Sequence, residues 1–172
     1  INTYALKSID LIFRNLPIAY RESENNVPRV YLSTASVMAG IAFSISYLSL
    51  TLAISLALIS KVESNLENMM SVILPHIMEF NLTSSPGRYV QMSKVMGEEV
   101  KDITVIEAAI KAVEAIRKLE TDLDVPQRLS NYDIPKSEFK NIANMAISYP
   151  FINNSPRLID KNEIETILIA AY

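Results

Sequence analysis

Residues 37–59 read VMAGIAFSISYLSLTLAISLALI, the centre of an uncharged run thirty-one residues long that separates Arg29 from Lys61. About twenty apolar residues in succession suffice to cross a bilayer, so length alone admits a membrane span. Composition argues against one. Ser44, Ser46, Ser49, Thr51 and Ser55 interrupt the stretch, and its flanks carry neither a Lys/Arg cluster nor an aromatic belt. The run also lies too far from Ile1, with no basic segment immediately before it, to be a signal peptide. One long helix or two consecutive helices buried in a protein core is therefore the stronger reading, and a membrane span the weaker.

The rest of the chain supports a single compact domain. At 172 residues a chain buries roughly 70% of the surface it exposes when unfolded. With 49% apolar and 20% charged residues, the composition is that of a globular protein. The absence of cysteine excludes disulfides and thiolate-bound metals, and together with the lack of a targeting signal it points to the cytoplasm. The net charge of −3, without a basic cluster, gives no means of neutralising phosphates, so nucleic acid is not expected as a partner. Gly40, Gly87 and Gly97 stand too far apart to form a phosphate-cradling loop. Ile1 in place of an initiator methionine points to a processed chain or a piece of a longer one.

Apolar residues recur at three- and four-residue spacing nearly throughout, and no segment alternates as a strand would. Leu6, Ile9, Phe13 and Leu16 predict a helix over 3–15, interrupted by Pro17, and the polar stretch RESENNVP at 21–28 reads as a loop. A helix is predicted from Ser64 to Phe80 with a kink at Pro75. Ser84-Ser85-Pro86 predicts a cap followed by a first-turn proline, opening a short helix that ends near Gly97. Thr104 and Glu107 have capping-box spacing ahead of a long helix whose apolar face is expected to include Ile106, Ala109, Ile110, Val113 and Ile116, with Lys111, Glu114 and Lys118 toward water. Pro126 lies beyond its end. A helix over 135–148 and another opened by Asp160 and Glu163 and running to Ala171 complete an all-α bundle of seven or eight helices.

Few residues offer chemistry. His76 is the only imidazole, and a lone histidine is more readily a structural hydrogen-bonding group than a catalyst. Without a second histidine or a cysteine it cannot complete a metal site. Glu98 and Glu99 are adjacent and would diverge by about 100° on a helix. Glu63 and Glu67, four apart, would share a helix face and hold a cation only weakly. Met69, Met70 and Met78 suit core gaps.

Several stretches resemble the C-terminal helical domain of the iron-containing alcohol dehydrogenases, a dehydroquinate synthase-like α-domain. They are ALKSIDLIFRNLPIAY at 5–20, MAGIAFS at 38–44, LPHIMEFN at 74–81, RYVQMSKVMG at 88–97, AIKAVEAIRKLETDLDVPQRLS at 109–130 and SPRLIDKNEIETILIAAY at 155–172, in the family's order. The resemblance implies an all-helical fold and an ancestral oxidoreductase role. Such enzymes join this domain to an N-terminal α/β domain that binds NAD(P), with a divalent metal, Fe or Zn, in the cleft between them.

The departures from the family pattern carry the functional expectation. Between the matching flanks the family has HxxxH and, ten residues later, HG. Aligned without a gap, those histidines fall on Leu52, Leu56 and Leu66, and the glycine on Glu67. The glycine-containing turn after AFS has become Ile45-Ser46-Tyr47-Leu48-Ser49. The family's remaining ligands, an aspartate and a histidine, would lie upstream of Ile1 together with the nucleotide-binding domain. Leucine has neither a lone pair for a metal nor a proton to transfer. Expected, then, are no catalytic, cofactor-binding or metal-binding residues in this chain and no bound cofactor, unless a missing domain supplies NAD(P) and the metal. The expected role is a noncatalytic structural or partner-binding module. Its partners would be a second copy of the chain or a separate nucleotide-binding subunit. The alternative is the C-terminal part of an NAD(P)-dependent alcohol dehydrogenase.

Overall fold

A computed structural model describes residues 2–46 and 49–172. The described residues form eight α-helices joined by turns and three short 3-10 segments, with no strand. In order the helices are α1 (Asn2–Arg21), α2 (Asn26–Ser46), α3 (Leu50–Ile59), α4 (Leu66–Leu82), α5 (Pro86–Val95), α6 (Val105–Asp122), α7 (Phe139–Ser148) and α8 (Lys161–Ala170). The chain divides into two compact units, one of residues 1–47 and 85–123, the other of 48–84 and 124–172.

The first unit pairs α1 with α2 and α5 with α6. Many of its buried residues are small, Ala35, Ala42, Ala108, Ala109, Ala112 and Ala115 with Ser8 and Ser93, beside the larger Leu11, Tyr89 and Val113. Small side chains let backbones approach, and side-chain hydroxyls span the gap. Ser8 Oγ donates to the Ala35 carbonyl at 2.8 Å, and Ser93 Oγ to that of Ala108 at 2.6 Å. Asp10 is buried on α1 between Lys7 and Arg14, both of which donate to it. The hydrogen bond from Lys7 and the Arg14 guanidinium hold its carboxyl below the ordinary range against the opposing cost of burial.

The second unit packs α3 against α4 and α7, and α8 against α4 and α7. Its core is large and aliphatic: Leu50, Ile54, Leu58, Met69, Val72, Ile73, Ile142, Ile164 and Leu168 are essentially inaccessible. The segment between α6 and α7 is pinned across this core by Leu129 N–H donating to the Ala171 carbonyl at 2.8 Å. Arg157 stacks 4.2 Å over the Phe80 ring and pairs with Glu163 at 2.5 Å, which fixes the approach to α8.

Both capping boxes form. Thr104 and Glu107, and Asp160 and Glu163, each exchange side-chain and backbone bonds across the first turn. Pro86 opens α5 with Ser85 at its N-cap, though the Ser85 hydroxyl makes no capping bond. Gly97 closes α5 at φ +91, a left-handed conformation that glycine adopts without a side-chain clash.

Four expectations need correction. α1 runs through Pro17 to Arg21. The missing N–H leaves the Phe13 carbonyl without its helical partner, but the helix is held by packing along α2, which outweighs one lost bond. The expected loop over 21–28 is shorter, because α2 already begins at Asn26. On α6, Ile106 and Ile110 face outward, and the buried stripe is Ala108, Ala109, Ala112, Val113 and Ala115, because the close contact with α5 admits only small residues. Finally, the uncharged run does form two helices, but only the second is buried. α2 buries just Pro28, Ala35 and Ala42. No single helix among the described residues is long and apolar enough to cross a membrane.

Candidate functional site

α3 carries no charge, and its only polar side chains, Thr51 and Ser55, are buried, as in a helix largely surrounded by protein. Leu50, Ala53, Ile54, Ala57 and Leu58 are fully buried, and Leu52 and Leu56, with Ile59 one turn further on, form its one half-exposed stripe. The spacing of four puts Leu52 and Leu56 on the same face, one turn apart. Leu66, also half-buried, is the first residue of α4. Asn65 caps that helix, its side chain accepting from the Asn68 N–H at 2.8 Å. Ile45 and Ser46 end α2 and Ser49 stands at the N-cap position of α3 without a side-chain capping bond, while Tyr47 and Leu48 lie outside the described residues.

The Asn65 cap separates the two carboxylates expected to share a helix face. Glu63 precedes the cap in non-helical chain and Glu67 follows it within the first turn, both exposed. A residue before an N-cap does not follow the helical period, so the i,i+4 argument lapses there. His76 is buried in the middle of α4, its Nδ1 3.9 Å from a Glu79 carboxylate oxygen. Glu98 leaves the end of α5 toward Lys111 at 3.9 Å, away from any shared role with Glu99. Met69 and Met78 are buried, as their core reading requires.

The donor chemistry of this region does not fit a metal. Hydrocarbon side chains occupy 52, 56 and 66, and among the described residues no three His, Cys, Asp or Glu side chains gather as ligands. The second unit does contain a polar cleft of about 450 Å³ lined by Lys61, Val62, Glu63, Asn131, Tyr132 and Asp133. Lys61 is engaged there by Glu138 at 3.1 Å, and that ammonium holds the Glu138 carboxyl below its usual range, with help from Asn141. Asp133 turns the chain at φ 54, and burial pushes the Tyr132 phenol up.

One chemically unusual group escaped the sequence reading. Glu120 is buried in the last turns of α6, and desolvation pushes its carboxyl up to about 7, against a smaller opposing pull from Arg117. The signal was present. Glu120 continues the stripe Ala109–Val113–Ile116 at helical spacing, so it sits where an apolar residue is expected.

Comparison with known proteins identifies the fold and the family. The chain is 30% identical over 168 residues to the 1,3-propanediol dehydrogenase of Klebsiella pneumoniae, covering 98% of this chain and 43% of that protein. It is 25% identical over 169 residues to the NAD-dependent methanol dehydrogenase of Bacillus methanolicus, covering 97% of this chain and 44% of that protein. Among solved structures, a 1,3-propanediol oxidoreductase superposes with a TM-score of 0.96 at 30% identity over 99% of this chain and 44% of its own. An alcohol dehydrogenase from Oenococcus oeni gives a TM-score of 0.95 at 24% identity, with coverage of 99% and 44%. The chain thus spans less than half the length of these relatives. The profile of the Fe-containing alcohol dehydrogenase family, C-terminal, matches residues 1–172, and the chain belongs to that family.

Proposed function

We propose that this chain is a noncatalytic member of its family, a helical domain whose role is structural or partner-binding. The observation that carries this reading is the occupancy of 52, 56 and 66 by leucine, on the half-exposed stripe of α3 and at the start of α4. Histidines left around an absent metal would strand polar nitrogens at a cost of about 1–3 kcal/mol each, whereas leucines in the same places add apolar contact. Three substitutions of one kind favour adaptation to a metal-free state over a single damaging change.

A second reading is favoured by the family itself. Relatives named as alcohol dehydrogenases are more than twice as long as this chain, and the domain could serve as the C-terminal part of an NAD(P)-dependent alcohol dehydrogenase whose nucleotide-binding part lies elsewhere. An alcohol-oxidation assay separates the two. The chain is assayed within its native polypeptide, or with its nucleotide-binding partner, using NAD or NADP and added Fe²⁺ or Zn²⁺. The first reading expects no metal-dependent turnover, and sustained metal-dependent reduction of the nucleotide would contradict it.

A further inference from the structure

Pro17 lies inside α1, four residues after Phe13, and the N–H it lacks is the one that the Phe13 carbonyl accepts in a regular helix. A backbone carbonyl is a strong acceptor, so this one is open to a donor from outside the helix. Its place in the fold is informative. Side chains four apart share a helix face, and both Phe13 and Pro17 line one wall of a cleft of about 160 Å³ between α1 and α6. The freed carbonyl lies between them on that wall.

The rest of the cleft joins an apolar floor to a charged rim. Met96, Ala115 and Leu119 complete the floor. Lys118 and Asp122, one turn apart on α6, stand at the rim, and neither enters an ion pair among the described residues. Glu98 also borders the cleft but is engaged by Lys111 at 3.9 Å. Asp122 is the last residue of α6, where the negative end of the helix dipole adds to its carboxylate and favours a cation. Sites for drug-sized ligands run to about 300–1,000 Å³, so this cleft suits a smaller molecule.

We infer that this cleft binds a free aliphatic α-amino acid as its zwitterion. The ammonium donates to the Phe13 carbonyl and to Asp122, the carboxylate accepts from Lys118, and the side chain lies on Phe13, Met96 and Leu119. The lining discriminates against simpler ligands. An alkylammonium leaves Lys118 unmatched, and an alkyl carboxylate brings no donor for the carbonyl. A sugar would lay hydroxyls on the apolar floor, where they exchange water for no partner. This inference goes beyond the function proposed above, because neither metal nor nucleotide takes part in it. Its failure and the failure of the noncatalytic reading are therefore separate results, one read from ligand binding and the other from metal content and turnover.

The test is isothermal titration calorimetry of L-leucine into the full chain at pH 7, with isoamylamine and isocaproate as analogues that lack the carboxylate and the ammonium. Saturable binding of leucine is expected below about 10 mM, with each analogue weaker by about tenfold or more. Two variants locate the site. Lys118→Met removes an exposed rim charge and should weaken leucine by about tenfold without touching the core. Pro17→Ala returns the N–H that the Phe13 carbonyl lacks, so it should weaken leucine by about fivefold or more while helicity by circular dichroism does not fall. Lys94→Met, on α5 outside the cleft, should bind as the unaltered chain does. No saturable binding of leucine would overturn the inference, as would an analogue that binds as tightly as leucine, or leucine binding left unchanged by either Lys118→Met or Pro17→Ala.

Discussion

Helices α2 and α3 are cut from one uncharged run, yet they end in opposite environments. α3 is enclosed except for the stripe of Leu52, Leu56 and Ile59, and contributes Leu50, Ile54 and Leu58 to a core of large aliphatic residues. α2, twice as long, buries three residues, two of them alanine. Hydropathy measures what a segment loses by meeting water. It does not say whether the fold shields the segment or leaves it for a partner. A related contrast separates the two units, one built on bulky aliphatic side chains and the other richer in buried alanine and serine.

Truncation should expose this difference most strongly. Ile54→Ala is expected to lower stability by about 2–5 kcal/mol through a cavity in the second unit. Val37→Ala on α2 should change it by less than about 0.5 kcal/mol in the monomer, because the side chain is already exposed. Urea unfolding of the two variants measures both, and equal losses would break the comparison.

The next effect lies in the first unit and depends on pH. Glu120 holds its proton up to about 7 in the folded chain, whereas the unfolded carboxyl titrates near 4.5. Between those values the native state binds more protons, so this group's stabilising contribution is complete below 4.5 and is lost as pH rises through 7. Glu120→Gln should therefore flatten the decline and gain on the order of 2 kcal/mol at pH 8, with little change at pH 4. Thermal unfolding across that range reads the difference.

Two buried serines give the smallest contrast. Ser93→Ala, which removes the donor to Ala108 in the close-packed unit, should cost about 1 kcal/mol. Ser55 sits fully buried in α3 with its hydroxyl unbonded, so Ser55→Ala should be neutral or stabilising by up to about 1 kcal/mol. Opposite signs in paired unfolding curves would sharpen the distinction between the units.

Local chemistry made much of the fold legible. The capping boxes at Thr104 and Asp160, the proline at 86 and the glycine at 97 act within a few residues, and each marks a helix end in the structure. What escaped reading depends on neighbours. Pro17 is tolerated because α2 holds α1 together, Ile106 and Ile110 turn outward because the α6 face toward α5 is filled by small residues, and the outer face of α2 is bare because nothing in its unit reaches it. The candidate site was legible as three leucines at positions the family resemblance marks. The buried carboxylate of Glu120 was marked only by its place on the stripe Ala109–Val113–Ile116, and its raised titration depends on the packing around it.

The most direct test of the account is the metal content of the full chain, purified under anaerobic conditions and then titrated with Fe²⁺ and Zn²⁺. With leucine at 52, 56 and 66, the account predicts metal far below one ion per chain and no saturable binding in the titration. One iron or zinc per chain, released when the Leu52 and Leu66 region is altered, would contradict it.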